Sequence, residues 1–408
     1  MTKLRVAIIG AGSAGLASAK YAKEMGLECV VYEQWSEIGG LWVYTDYTDF
    51  DEYGYPVLSA MYQGLTTNLP KNLMGFSDFP IPDDKNRYLT HNELKLFLHS
   101  YADHFQLKPL IKLNTFVNYI KPDENNNNKW IIETEYKLNG ETTVNIFDAV
   151  MICTGHHHTP KIPDIPGINS FKGTIIHSRM YRSANNYKGK VVLVIGGGAS
   201  GVDIADQVSA VAKNVVFNFK KVIRQIDYRN NVIVKEGNIA KINELSVTFS
   251  DKSTIYIDSI ILCTGYYYNY SFLDKSCGIT DGNFVQPLYK HVININNPTM
   301  AFIGVTIYVC PFVTFELQAR FFINCLLGIA KLCSQEEMRK DYKLDLQIRF
   351  PNGCNGREYH KIHDRQLEYS SELARLGNTF GVSKELIESY IKNYKIFTSV
   401  RGSFKDKY

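Results

Sequence analysis

The clearest pattern of apolar and polar positions runs from residue 4 to 33, LRVAIIGAGSAGLASAKYAKEMGLECVVYE. An unbroken apolar run predicts a buried strand, glycines interrupt it, an alanine-rich helical stretch follows, and a second apolar run ends at Glu33. This is the order of a complete βαβ unit. The pattern returns at KVVLVIGGGASGVDIADQVSAVAKNVVFNFKKVIR, residues 190–224, so the chain carries an internal repeat.

A second duplication accompanies the first. FDAVMICTG (147–155) and IDSIILCTG (257–265) share an acid, an apolar strand and a Cys-Thr-Gly end. Each follows a hairpin-like pair, KWIIETEYKLNGETTVNIF and LSVTFSDKSTIYI, with Asn139-Gly140 marking one turn. The predicted fold class is therefore α/β, with two Rossmann-like dinucleotide-binding domains that each carry an appended small antiparallel sheet.

The glycine spacing gives these units a chemistry. In Gly10-x-Gly12-x-x-Gly15, the first glycine permits a tight turn, the second lets the backbone approach a pyrophosphate, and the third allows helix to pack on strand. Ser13 and Ala14 open the helix whose N-terminus faces the phosphates. Glu33, placed to accept hydrogen bonds from a ribose diol, would repel a 2′-phosphate, which selects FAD or NAD. In the second unit, Gly196-x-Gly198-x-x-Gly201 with Ser200 repeats the turn, but no acid ends the strand. Lys220, Lys221 and Arg224 lie there instead, which suits the 2′-phosphate of NADPH. Gly155 and Gly265, at the ends of the duplicated strands, are expected beside the nucleotides. Two fingerprints in one chain predict a flavoprotein that takes electrons from NADPH. The expected division is 1–168 for the first part of the FAD domain, 169–285 for an inserted NADPH domain, and 286–408 for a return to the FAD domain with C-terminal helices. Proline-rich PKIPDIPG (160–167) marks the boundary.

Composition narrows the partners. The 408 residues are 45% hydrophobic and carry 45 basic and 41 acidic side chains, a formal charge of +4 that is too small and dispersed for a nucleic-acid surface. Small molecules are the expected partners. Eight cysteines show no metal-type spacing, and Cys153 and Cys263 read as buried thiols. Three adjacent histidines in HHHTP (156–160) cannot converge on one ion and read as a loop. ENNNNK (124–129) reads as a hairpin tip and SKELIESYIKNY as a capped surface helix. No apolar run reaches the roughly 18 residues of a membrane span, and no leader is visible. A cytoplasmic address is expected, or a secreted one if a leader has been removed. The surface of a compact two-domain chain leaves room for a homo-oligomer.

One stretch stands outside this scheme: Phe171-x-Gly173-x-x-x-His177-x-x-x-Tyr181. By residue chemistry Phe171 reads as a core plug, Gly173 as a turn and His177 as a hydrogen-bonded packing residue. The spacing resembles the signature of the flavin-containing monooxygenases, which falls between their FAD and NADPH motifs. GGLW (39–42), YQGLTTNLPKNLMGFSDFP (62–80), CTGHH (153–157), CTGYY (263–267), PLYKHV (287–292) and FELQAR (315–320) also resemble family segments, so the likeness spans nearly the whole chain. The resemblance implies that NADPH reduces FAD, that dioxygen forms a flavin hydroperoxide, and that a soft nitrogen or sulfur takes the distal oxygen. Asn68 matches the family's active-site asparagine. Gly40, Leu41, Trp42 and Thr67 match positions around FAD, while His177 and Tyr181 belong to the stretch that shapes the nicotinamide nucleotide site. The short polar C-terminus resembles the compact insect branch, which implies N-oxidation of tertiary amine alkaloids such as pyrrolizidine alkaloids. Baeyer–Villiger oxygenases commonly carry Trp where this chain has Tyr181. That activity and a non-catalytic flavin redox sensor are the alternatives. A disulfide reductase is disfavoured, because residues 1–152 hold Cys29 alone.

Overall fold

The computed structural model describes residues 3–401, apart from 84, 127–128, 221–224, 227–228, 355 and 357. The first unit consists of β1 (Arg5–Ile9), α1 (Ser13–Glu24) and β2 (Glu28–Tyr32), with the two strands parallel and Ile9 opposite Tyr32. The helix α2 (His91–His104) starts at a capping box between Thr90 and Glu93, and β3 (Ile111–Lys112) follows it. Then β4 (Thr115–Pro122), β5 (Trp130–Tyr136) and β6 (Glu141–Phe147) form an antiparallel sheet, and Gly140 at φ +71° lets the chain turn between β5 and β6. The chain returns through β7 (Ala149–Ile152), parallel to β1 on its other side. Strands Leu288–Tyr289, Ile293–Asn294 and Met300–Phe302 extend the same sheet beyond β7, giving seven strands.

A five-stranded sheet, parallel throughout, is built from Val232–Glu236, Asn214–Phe219, Val191–Ile195, Ser259–Leu262 and Thr174–His177, in that spatial order. Strand alternation explains why each sheet needs cover on both faces. Val6 and Ile8 of β1 enter a core with α1, whereas Ala7 and Ile9 enter one with Val117, Trp130 and Ile132 of the small sheet. The second unit repeats this division. Val192 and Val194 pack with Ile204 and Val208 of α3 (Ala199–Ser209), and Leu193 and Ile195 with Ile242, Val247 and Phe249 of the second antiparallel sheet.

Four further α-helices follow among the described residues: α4 (Pro311–Leu326), α5 (Gln335–Arg349), α6 (Gln366–Leu376) and α7 (Lys384–Ser399). Among the described residues no helix is long and apolar enough to cross a membrane. The stretch expected as a surface helix, α7, instead buries Ile387 and Tyr390, and Tyr390 joins a cluster with Leu73, Cys310 and Val313. Its apolar residues at helical spacing have a partner more than 300 residues away, which the local pattern does not name.

Candidate cofactor and active site

Both glycine turns are shaped by backbone that approaches too closely for a side chain. Gly10 and Gly196 have φ of +102° and +118°, a region costly for other residues. A Cβ on Gly10 would lie 2.8 Å from the carbonyl oxygen of Cys153, and one on Gly196 would lie 2.2 Å from that of Cys263. Each duplicated Cys-Thr-Gly strand end is thus packed against its own turn. A Cβ on Gly15 or Gly201 would come within 1.8 or 1.7 Å of the carbonyl oxygens of Gly10 or Gly196. Only glycine lets α1 and α3 begin there. Gly12 and Gly198 cap these helices without a side-chain acceptor, so the amides that follow, at Ser13, Ala14 and Ser200, are left for an anion. Gly155 and Gly265 close the strands adjacent to β1 and Val191–Ile195, where crevices open at the carboxyl ends of doubly wound sheets. The glycine cradles and the uncapped amides fit one dinucleotide at each turn.

The GGLW segment folds against the first turn. The Gly39 amide donates to Ala11 O at 3.2 Å, and a Cβ on Gly40 would stand 2.9 Å from the Gly12 Cα. Leu41 is 37% exposed, while Trp42 packs partly on the first core. Glu33 is buried, and its carboxylate accepts the amides of Ala11 at 2.7 Å and Trp35 at 2.9 Å. It therefore braces the turn from beneath, and burial raises its carboxyl above the ordinary range. In the second unit the corresponding backbone contact is Gly196 N to Asn218 O, against Gly10 N to Tyr32 O, so Phe219 stands where Glu33 does. Lys220, one residue on, is exposed; Lys221 and Arg224 lie outside the described residues.

Thr67 is structural in its contacts. Its hydroxyl donates to Leu69 O and accepts from the Leu89 amide, while its own amide donates to Leu89 O. The adjoining Asn68 is exposed, on a backbone held by these bonds.

The signature is the edge strand Thr174–His177 and the turn after it. Phe171 packs in a core as expected, and Gly173 lies at a bend before the strand, where a Cβ would meet Asp258 O at 2.3 Å and the Phe171 ring at 2.6 Å. Tyr181 is 1% exposed, donates its hydroxyl to Gln207 and packs on Tyr62 and Tyr187, so its contribution is to a core wall. Nδ1 of His177 accepts the Arg179 amide at 3.1 Å, which leaves the proton on Nε2 to donate to Gly265 O at 3.0 Å. The signature histidine thus holds the strand end at the second turn.

Burial lowers the His177 pKa to about 4. The unfolded chain, near 6.5, then takes up a proton before the folded one, so stability falls as pH drops from 6.5 toward 4. This residue alone should cost about 2 kcal/mol between pH 7 and pH 5. His177→Gln is expected to show a correspondingly smaller loss in denaturant melts at the two pH values. An equal loss would remove His177 as the cause.

Sequence reasoning missed Arg179 and Arg182. Arg182 is buried and donates to the carbonyls of Thr45, Tyr47, Arg179 and Tyr181. Arg179 reaches Val57 O and Asp49. They fasten the signature to the segment between GGLW and Asn68. Their spacing carries no signal, because Thr45, Tyr47 and Val57, whose carbonyls tie the two segments together, lie over 120 residues away.

A family model described as flavin-binding monooxygenase-like matches residues 3–226 and 225–401. The chain is 36% identical over 349 residues to the flavin-containing monooxygenase FMO GS-OX-like 1 of Arabidopsis thaliana, covering 82% of this chain and 74% of that protein. Its structure is similar to that of S-allyl-L-cysteine S-oxygenase from Allium sativum, with a TM-score of 0.87, 30% identity and 97% and 93% of the two chains covered. Tmm from Pelagibacter sp. strain HTCC7211 gives a TM-score of 0.85 at 28% identity, covering 96% and 90%.

Proposed function

The chain belongs to the flavin-binding monooxygenase-like family, and from that premise we propose that it binds FAD at the Gly10 turn and NADPH at the Gly196 turn, and transfers one atom of dioxygen to a soft nucleophilic sulfur or nitrogen. The observation that carries this reading is the duplicated cradle, two glycine turns each packed on its own Cys-Thr-Gly strand end. The same proposal divides the chain at 168 and 285, a reading supported by the strands after 285, which rejoin the sheet of β1.

Bound flavin, once reduced, supplies the activation of dioxygen. The chain's own residues bind, orient and shield. The first amides of α1 take the FAD pyrophosphate, and Glu33 holds the turn that presents them. The amides of α3 and the ammonium of Lys220 take the phosphates of NADPH. His177 fixes Gly265 beside that nucleotide. Asn68 supplies an amide donor at the reacting oxygen, and its backbone is already fixed, so little reorganisation opposes it. The substrate attacks through its own lone pair, so no protein nucleophile is required and an amine must be unprotonated to react.

Sulfur is favoured by the likeness to a protein described as an S-oxygenase. The narrower reading, N-oxidation of tertiary amine alkaloids, is the second substrate class to be tested. The test is incubation with NADPH and ¹⁸O-labelled dioxygen, offering S-allyl-L-cysteine and a tertiary amine alkaloid. A sulfoxide or N-oxide carrying one labelled oxygen is expected. Hydrogen peroxide as the sole product from both would overturn the reading.

A further inference from the structure

Residues 62–69 belong by sequence to the first unit, yet the chain there is divided between the two. Tyr62 is buried in the second unit's core with Val192, Ile204 and Val208, and Leu65 packs on the same cluster. Leu69, by contrast, packs on the core that contains α1, and the Thr67 amide donates to Leu89 O at 2.7 Å. Asn68 therefore stands where the chain crosses from one nucleotide unit to the other.

Polar contacts tie this crossing to α3. The Tyr62 hydroxyl donates to the Asp203 carboxylate at 2.6 Å, and Asp203 lies two residues after Gly201 in the helix that the second glycine turn begins. Gln207, one turn further along α3, donates to the same carboxylate oxygen at 3.4 Å and accepts the Tyr181 hydroxyl at 3.1 Å. The rings of Tyr62 and Tyr181 meet edge to face at 5.3 Å. The Gln63 amide donates to Arg182 O at 2.9 Å. The end of the signature and the start of α3 thus grip the segment together. Bonds to an ionised acceptor are the stronger kind, so the short Tyr62–Asp203 bond is the firmest of these ties.

We propose that Tyr62 is a positioning residue for oxygen transfer, its bond to Asp203 fixing the segment that carries Asn68 against the helix that receives the NADPH phosphates. This deepens, and rests on, the monooxygenase reading above. α3 and Asn68 then share one frame. Tyr62 is buried and six residues before Asn68, so it acts through the backbone that joins them.

Tyr62→Phe keeps the buried ring and removes the hydroxyl. Asp203 is half-buried, so water can replace the lost donor and the fold is kept. Amide hydrogen exchange of the FAD-loaded protein reads the segment without turnover: the peptide spanning 62–69 should exchange about tenfold faster in Tyr62→Phe, with α1 and α3 unchanged. Oxygenated product per NADPH consumed, with whichever of S-allyl-L-cysteine and the alkaloid the parent oxygenates, should fall about tenfold while FAD content and the rate of flavin reduction hold. Asp203→Ala should match Tyr62→Phe. Asp203→Asn, whose amide oxygen still accepts the hydroxyl, should keep both readouts at the parent value. In an Asn68→Ala background Tyr62→Phe should cause no further loss. Parent exchange or parent yield in Tyr62→Phe, or a loss that adds to that of Asn68→Ala, refutes the positioning role alone. If the parent forms no oxygenated product, the monooxygenase reading fails and takes this role with it.

Discussion

Gly201→Ala should weaken use of NADPH about a hundredfold while leaving FAD in place. The new methyl group would stand 1.7 Å from the carbonyl oxygen of Gly196, inside any permitted contact. Gly196 cannot yield easily, since its amide is bonded to Asn218 O and its Cα abuts the carbonyl of Cys263. The start of α3 must therefore withdraw, taking with it the amides that would meet the pyrophosphate. Overpacking of this kind costs about 1–3 kcal/mol, and a loss near the upper end weakens NADPH binding about a hundredfold. FAD should survive, because the Gly10 turn belongs to the separate seven-stranded sheet. Gly15→Ala, with its Cβ 1.8 Å from Gly10 O, should do the reverse and leave an FAD-free protein. Flavin absorbance after gel filtration and NADPH titration of flavin reduction separate the two. Normal reduction of Gly201→Ala by NADPH would show that the second cradle does not hold the reductant.

Asn68→Ala should leave a folded, FAD-loaded protein that NADPH reduces at the parent rate, yet divert the electrons to hydrogen peroxide. The side chain is exposed, and Thr67 and Leu89 carry the backbone bonds of the segment, so stability should change by no more than about 0.5 kcal/mol. Removal of a preorganised donor from a reacting oxygen typically costs about a hundredfold in rate. Oxygenated product per NADPH consumed should fall by that order, with peroxide making up the difference. Coupling that stays at the parent value would remove Asn68 from the site, whatever its match to a family position.

The chain's local patterns established the two βαβ units, the glycine turns, both antiparallel hairpins and the family likeness. Each unit, turn and hairpin is written within about thirty residues: strand alternation, helical spacing and close backbone contacts depend on neighbours along the chain. Gly10, Gly15, Gly196 and Gly201 were legible because a turn that tight admits no other residue. Only the tertiary structure decided what distant partners do with the remaining side chains. It turned Glu33 inward as a brace on Ala11 and Trp35 and spent Arg182 on carbonyls of the 45–47 segment. It gave α7 a buried face against Leu73 and brought Tyr308 to His363, 55 positions later. Such roles depend on burial and on which acceptor happens to lie opposite, and neither is encoded by the residue's immediate neighbours along the chain.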